Sequence, residues 1–135
     1  MRKFSVILVL VLFILSVFLI NFFGVKLGSF EEKVLVESVT LLNTKVNNDD
    51  LVYIRVNKAD FHFGYKYVFE YEILPLNATN KTVSFGIIAP EEHEGITISN
   101  TGVLTYNVEQ VIDIRIIVRT LDGSNKNDNT WLLFR

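Results

Sequence analysis

Between residues 65 and 73 the chain alternates by two. Tyr67, Phe69, Tyr71 and Ile73 fall on one side of an extended backbone, and Lys66, Glu70 and Glu72 fall on the other. A period of two, with aromatic and aliphatic residues on one side, predicts a half-buried strand. Pro75 has no N–H to give a ladder and ends it. The polar run 77–81 is turn chemistry, and Val83 and Phe85 begin the next strand. Residues 111–120 repeat the alternation, with Ile112, Ile114, Ile116 and Val118 inward and Asp113, Arg115 and Arg119 outward. So do residues 51–57, with Val52, Ile54 and Val56 opposite Tyr53 and Arg55. Shorter stretches at 33–42, 96–99, 103–106 and 130–134 bring the predicted strands to seven or eight. Polar loops at 43–50, 58–64, 86–95, 100–102 and 122–129 separate them. No helical period occurs beyond residue 25, and many short strands between turn signals predict a β-sandwich.

The first 25 residues have a different pattern. Arg2 and Lys3 precede a run in which, from residue 4 to 23, only Ser5, Ser16 and Asn21 are not apolar. Twenty such residues in a helix span roughly 30 Å, the hydrocarbon thickness of a bilayer. A cleavable signal peptide has a shorter apolar core and a small-x-small cleavage site. The sites near Gly24, Gly28 and Ser29 instead carry Phe22, Lys26 and Leu27 at the −3 position. An uncleaved signal anchor is therefore expected, with a cleaved leader as the alternative. The positive-inside rule keeps Arg2 and Lys3 in the cytoplasm and exports the chain beyond Lys26. The expected organisation is a transmembrane helix over 1–25, a juncture over 26–33 and one domain over 34–135. The expected location is the cell membrane, single-pass, with the C-terminal domain outside, or secreted if the leader is removed.

Composition narrows the partners. Of 13 Lys/Arg, Arg2 and Lys3 lie before the apolar run; the remaining eleven face 15 Asp/Glu, a net charge of −4. That balance argues against nucleic acid, which demands a basic surface. There are no cysteines, which excludes disulfides, a thiolate nucleophile and Cys-bound zinc. The exported domain must stand on core burial alone.

The run Gly64-x-x-Tyr67-x-Phe69-x-Tyr71-x-Ile73-x-Pro75-x-Asn77-Ala78-Thr79-Asn80-Lys81-x-Val83-x-Phe85 resembles the bacterial immunoglobulin-like domain, group 2, of intimin- and invasin-type surface proteins. Ile96-x-Ile98-Ser99-x-x-Gly102-x-Leu104-Thr105, Ile114-x-Ile116-x-Val118 and Asp122-Gly123 come next, in the family's order. Phe85 stands where the family often has Trp, residues 43–51 lengthen the start, and Glu109-Gln110 lack the usual glycine. The resemblance implies an Ig-like antiparallel sandwich of about seven strands, exposed at the cell surface, with an adhesive or spacer role and no catalytic residues.

The residues agree with a non-catalytic reading. There is no G-x-S-x-G, and Glu70 and Glu72 share an outward strand face without the burial that tunes a catalytic acid. No cofactor site is expected and no metal site is assigned. Glu91-Glu92-His93-Glu94 reads as a solvated loop, because four consecutive residues cannot all converge on one cation; the alternative is a weak divalent-cation site completed from other loops by Asp49, Asp50, Asp122 or Asp128. Tyr106, Trp131 and Phe134 are the candidates for an aromatic ligand patch. The expected function is surface binding, adhesion or structural support, docking on another envelope protein. The alternative is a carbohydrate- or cell-wall-binding module using that patch.

Overall fold

The computed structural model describes residues 2–23 and 31–135, with side chains for residues 3, 5–19 and 31–135. Two units result, 1–32 and 33–135. Gly24, Gly28 and Ser29, and the expected juncture as far as residue 30, lie outside the described residues.

The first unit is one helix, α1 (Arg2–Phe23). Its described large apolar side chains are exposed on every side, from 43 % at Val17 to 69 % at Phe13. Among the described residues no helix is long and apolar enough to cross a membrane, so the fold adds no support to the span expected over 1–25.

The second unit holds ten strands: β1 (Ser38–Leu41), β2 (Lys45–Val46), β3 (Val52–Val56), β4 (Tyr65–Val68), β5 (Tyr71–Leu74), β6 (Val83–Ala89), β7 (Ile96–Ile98), β8 (Val103–Tyr106), β9 (Ile114–Thr120) and β10 (Asn127–Phe134). One sheet runs β2-β3-β10-β9-β6, antiparallel except where β10 meets β3 in parallel. The other layer consists of β4-β8-β7 and β1-β5. These two ladders are halves of one strand, because Phe69 and Glu70 carry both across the break. The Phe69 N–H donates to Gly102 O (2.9 Å) and Glu70 O accepts from Leu42 N–H (2.9 Å).

The alternation read from the sequence decides which side chains line the core. Ile114, Ile116 and Val118 are fully buried on β9, as are Thr130 and Leu132 on β10, with Phe134 nearly so. Ile54 and Val56 join them from β3, and Val83 and Phe85 from β6. Phe69, Ile73, Leu104, Tyr106, Val39 and Leu41 face them from the other layer. Each fully buried side chain of this size contributes about 1.5–3 kcal/mol relative to exposure, which is how the fold dispenses with disulfides.

Several expectations need correcting. β9 begins at Ile114 rather than residue 111, leaving Ile112 outside the strand and only half-buried. β10 begins at Asn127, inside the loop expected to run to residue 129. The strand at Val83 does not stop at Phe85 but runs to Ala89, because β9 is seven residues long and supplies partners as far as Arg115. The loop expected at 43–50 contains the two-residue strand β2. The first strand is confined to Ser38–Leu41, although Val36 is already buried beside it. Both prolines sit one residue past a strand end, after Leu74 and after Ala89.

Candidate binding face

Residues that alternate with the core row point to the outer side of the five-stranded sheet. On β9 these are Arg115, Ile117 and Arg119; on β10 Asn129, Trp131 and Leu133; on β3 Tyr53 and Arg55. Register sets them side by side. Trp131 lies opposite Tyr53 on one neighbour and Arg115 on the other, and Leu133 lies opposite Arg55. Lys45 extends the first row beyond Tyr53. Adjacent strands are about 4.8 Å apart, so Lys45, Tyr53, Trp131 and Arg115 form one cross-strand row.

Every arginine after Arg2 occupies this face: Arg55, Arg115, Arg119 and, one residue past β10, Arg135. Their surroundings differ. Arg135 pairs with Asp113 (2.8 Å) and donates to Phe134 O (2.9 Å), while the second Asp113 oxygen accepts the Phe134 N–H (3.0 Å). Arg115 donates twice to Asn129 Oδ1, at 3.1 and 2.7 Å, so a neutral partner fixes it and leaves its charge uncancelled. Arg55, Arg119 and Lys45 carry exposed charges with no side-chain hydrogen bond or ion pair among the described residues. A shallow depression lined by Asn47, Tyr53, Arg55, Leu133 and Arg135 opens at one end. The outer side of the opposite layer carries Lys66, Val68, Glu70, Glu72 and Leu74.

The aromatic patch expected from Tyr106, Trp131 and Phe134 is not formed. Tyr106 is fully buried and Phe134 nearly so. They pack edge to face at 5.4 Å within a four-ring group completed by Phe61 and Tyr65. Only Trp131 faces outward, because it lies an odd number of residues from Phe134 on the same strand. The Tyr106 hydroxyl donates to Ile112 O at 3.0 Å. Its pKa is pushed above the usual phenol value, first by burial and then by Asp113 and Tyr65.

The acidic loop follows the end of β6. Glu91, Glu92 and Glu94 are exposed, and His93 Nδ1 lies 3.1 Å from Pro90 O. Among the described residues no three His, Asp or Glu side chains converge as a metal site would require. His62 is exposed at the 3₁₀ turn Lys58–Asp60, its Nδ1 3.0 Å from Asp60 O and its ring edge-on to Tyr65 at 5.8 Å.

Two functional features go beyond what sequence reasoning found. The arginine face was half visible: alternation alone turns Arg115 and Arg119 outward and pairs Arg55 with Tyr53. That β3 and β9 both flank β10 carries no local signal. The second is Asp122, which opens the β9–β10 connection as expected but is also buried, at 4 % exposure. Nothing in the Asp-Gly pair announces the distant N–H it accepts.

No family model matches the chain, and no curated protein matches it.

Proposed function

We propose that this chain is a membrane-tethered, non-catalytic binding module. In this reading an immunoglobulin-like sandwich of the bacterial group 2 kind is carried outside the membrane and docks through the outer face of its five-stranded sheet. The observation that carries the reading is that all four domain arginines lie on one sheet face, with Arg55 and Arg115 flanking the Tyr53–Trp131 pair. A domain with an acidic balance has no need of such a concentration for its fold.

The immunoglobulin-like reading is supported by strand order. With β4 and β5 taken as one strand, the layers run β1-β5/β4-β8-β7 and, beyond the short edge strand β2, β3-β10-β9-β6. That is the ABED and GFC arrangement of such sandwiches, with the first strand's continuation beside the last. Membrane attachment is supported by the apolar run over residues 4–23, long enough in helical form to match a bilayer core. Docking on an envelope protein is favoured by the exposed charges of Arg55 and Arg119 on that face. Binding of a wall polysaccharide is favoured by the outward Trp131 and Tyr53.

A photo-reactive amino acid placed at position 119, and separately at position 72 on the opposite layer, tests the reading in native membranes. Position 119 is expected to yield a discrete protein adduct or a polymer ladder, and position 72 none. Equal or absent adducts at both positions would refute it.

A further inference from the structure

We propose that the outer face of the five-stranded sheet binds an anionic glycan, a polysaccharide bearing carboxylate or phosphate groups. This deepens the binding-module reading and rests on it. Within residues 33–135 there are ten Lys/Arg and thirteen Asp/Glu, a net charge of −3. All four arginines nevertheless share one face, against the sign of the domain. The acid on that face, Asp113, is engaged by Arg135 and the Phe134 N–H. Among the described residues Arg55, Arg115 and Arg119 have no carboxylate partner. Guanidinium groups match carboxylate and phosphate oxygens in paired hydrogen bonds. Arg115 is already oriented by Asn129, and two of its five donors are used there.

The aromatic residues decide between polyanions. Tyr53 and Trp131 are half-buried neighbours across β3 and β10, with Arg115 next in the row and Arg55 two residues along from Tyr53. The C–H face of a sugar ring is weakly positive and packs on the negative face of an aromatic ring. A chain of sugars bearing acids at intervals satisfies both kinds of group along one sheet face. An acidic peptide is the rival occupant, since arginine clusters also recognise acidic motifs, but it brings no sugar ring to pack on Tyr53 and Trp131.

The test uses the full chain in neutral detergent micelles, with immobilised polygalacturonate as the probe and dextran as the uncharged control. Polyaspartate and phosphatidylglycerol vesicles are the competing arms. Retention is expected on polygalacturonate and not on dextran, weakening at least tenfold between about 0.05 and about 0.5 M salt as charges are screened. Arg115→Gln with Arg119→Gln should weaken it by about tenfold or more, Trp131→Ala should weaken it too, and Glu72→Gln should leave it unchanged. Tyr53→Ser provides a second aromatic test if Trp131→Ala fails to fold. Absent polygalacturonate binding, tighter binding to polyaspartate or to the vesicles, or indifference to both aromatic substitutions would overturn the proposal. If glycan binding fails while position 119 still crosslinks, the glycan falls and the binding face stands; failure of both removes the module reading as well.

Discussion

The carboxylate of Asp122 accepts the main-chain N–H of Val36 at 2.6 Å, joining the start of the domain to the turn between its last two long strands. Its other oxygen takes the Ser124 hydroxyl at 2.5 Å and the Ser124 N–H at 3.0 Å. Lys33 Nζ adds a bond to Asp122 O at 3.0 Å. Asp128 repeats the arrangement, accepting Leu41 N–H at 2.8 Å. Two carboxylates thus satisfy donors of the β1 segment that β5 does not take, which covers an edge strand from foreign pairing.

The Ser124 hydroxyl first, and then the Val36 N–H, hold the Asp122 pKa far below the usual carboxylate value. A depressed native pKa stabilises the fold fully above the unfolded value of about 3.9, and that contribution drains away as pH falls below it. Thermal melts between about pH 6 and pH 2 should therefore show stability falling on the acid side. Asp122→Asn should lower Tm at neutral pH and flatten the acid slope. Asp128→Asn should lower Tm less, because Asp128 gathers fewer donors.

Tyr106→Phe removes only a hydroxyl from the four-ring group, yet it leaves the Ile112 carbonyl without its donor. Chemical denaturation should show a loss of about 1–3 kcal/mol, as for an orphaned buried polar group. Trp131→Phe, on the outer face, should cost less than about 1 kcal/mol.

Gly102 has φ +83°, and a Cβ there would meet Phe85 Cζ at 3.0 Å and Phe69 O at 3.1 Å. Gly102→Ala combines left-handed strain with a contact against the aromatic core and against the carbonyl of Phe69. Its expected cost is about 1–3 kcal/mol. Gly123→Ala, at φ +93° but with open space around it, should cost only the strain, about 1 kcal/mol. The difference between the two denaturation midpoints measures the contact alone.

If α1 anchors the chain, alkaline carbonate should leave the protein in the membrane pellet. Replacing Leu10 and Ile14 by Arg should release it into the supernatant, since each charge at mid-bilayer costs about 2.5–3.5 kcal/mol. Extraction of the unaltered chain would show that the helix does not hold it there.

Much of this fold was legible locally. The alternation at Ile114, Ile116 and Val118 survives as a fully buried row, and that at Phe69 and Ile73 as its counterpart. What alternation cannot carry is adjacency. Tyr106 and Phe134 look like available aromatics until β8 and β10 are placed in opposite layers of one core. Arg55 and Arg115, 60 positions apart in the chain, come to share one face only through the parallel pairing of β3 with β10. Side chains that reach across strands, such as Asp122 to Val36, are equally silent in a linear pattern.

The most direct test of the binding face is arginine-selective phenylglyoxal footprinting, read by mass spectrometry on intact envelopes and on the detergent-purified chain. Arg55, Arg115 and Arg119 should react more slowly in envelopes, while the opposite-layer Lys66, read with a lysine reagent, reacts equally in both. Equal arginine reactivity in the two preparations would contradict the assignment of this face to a partner.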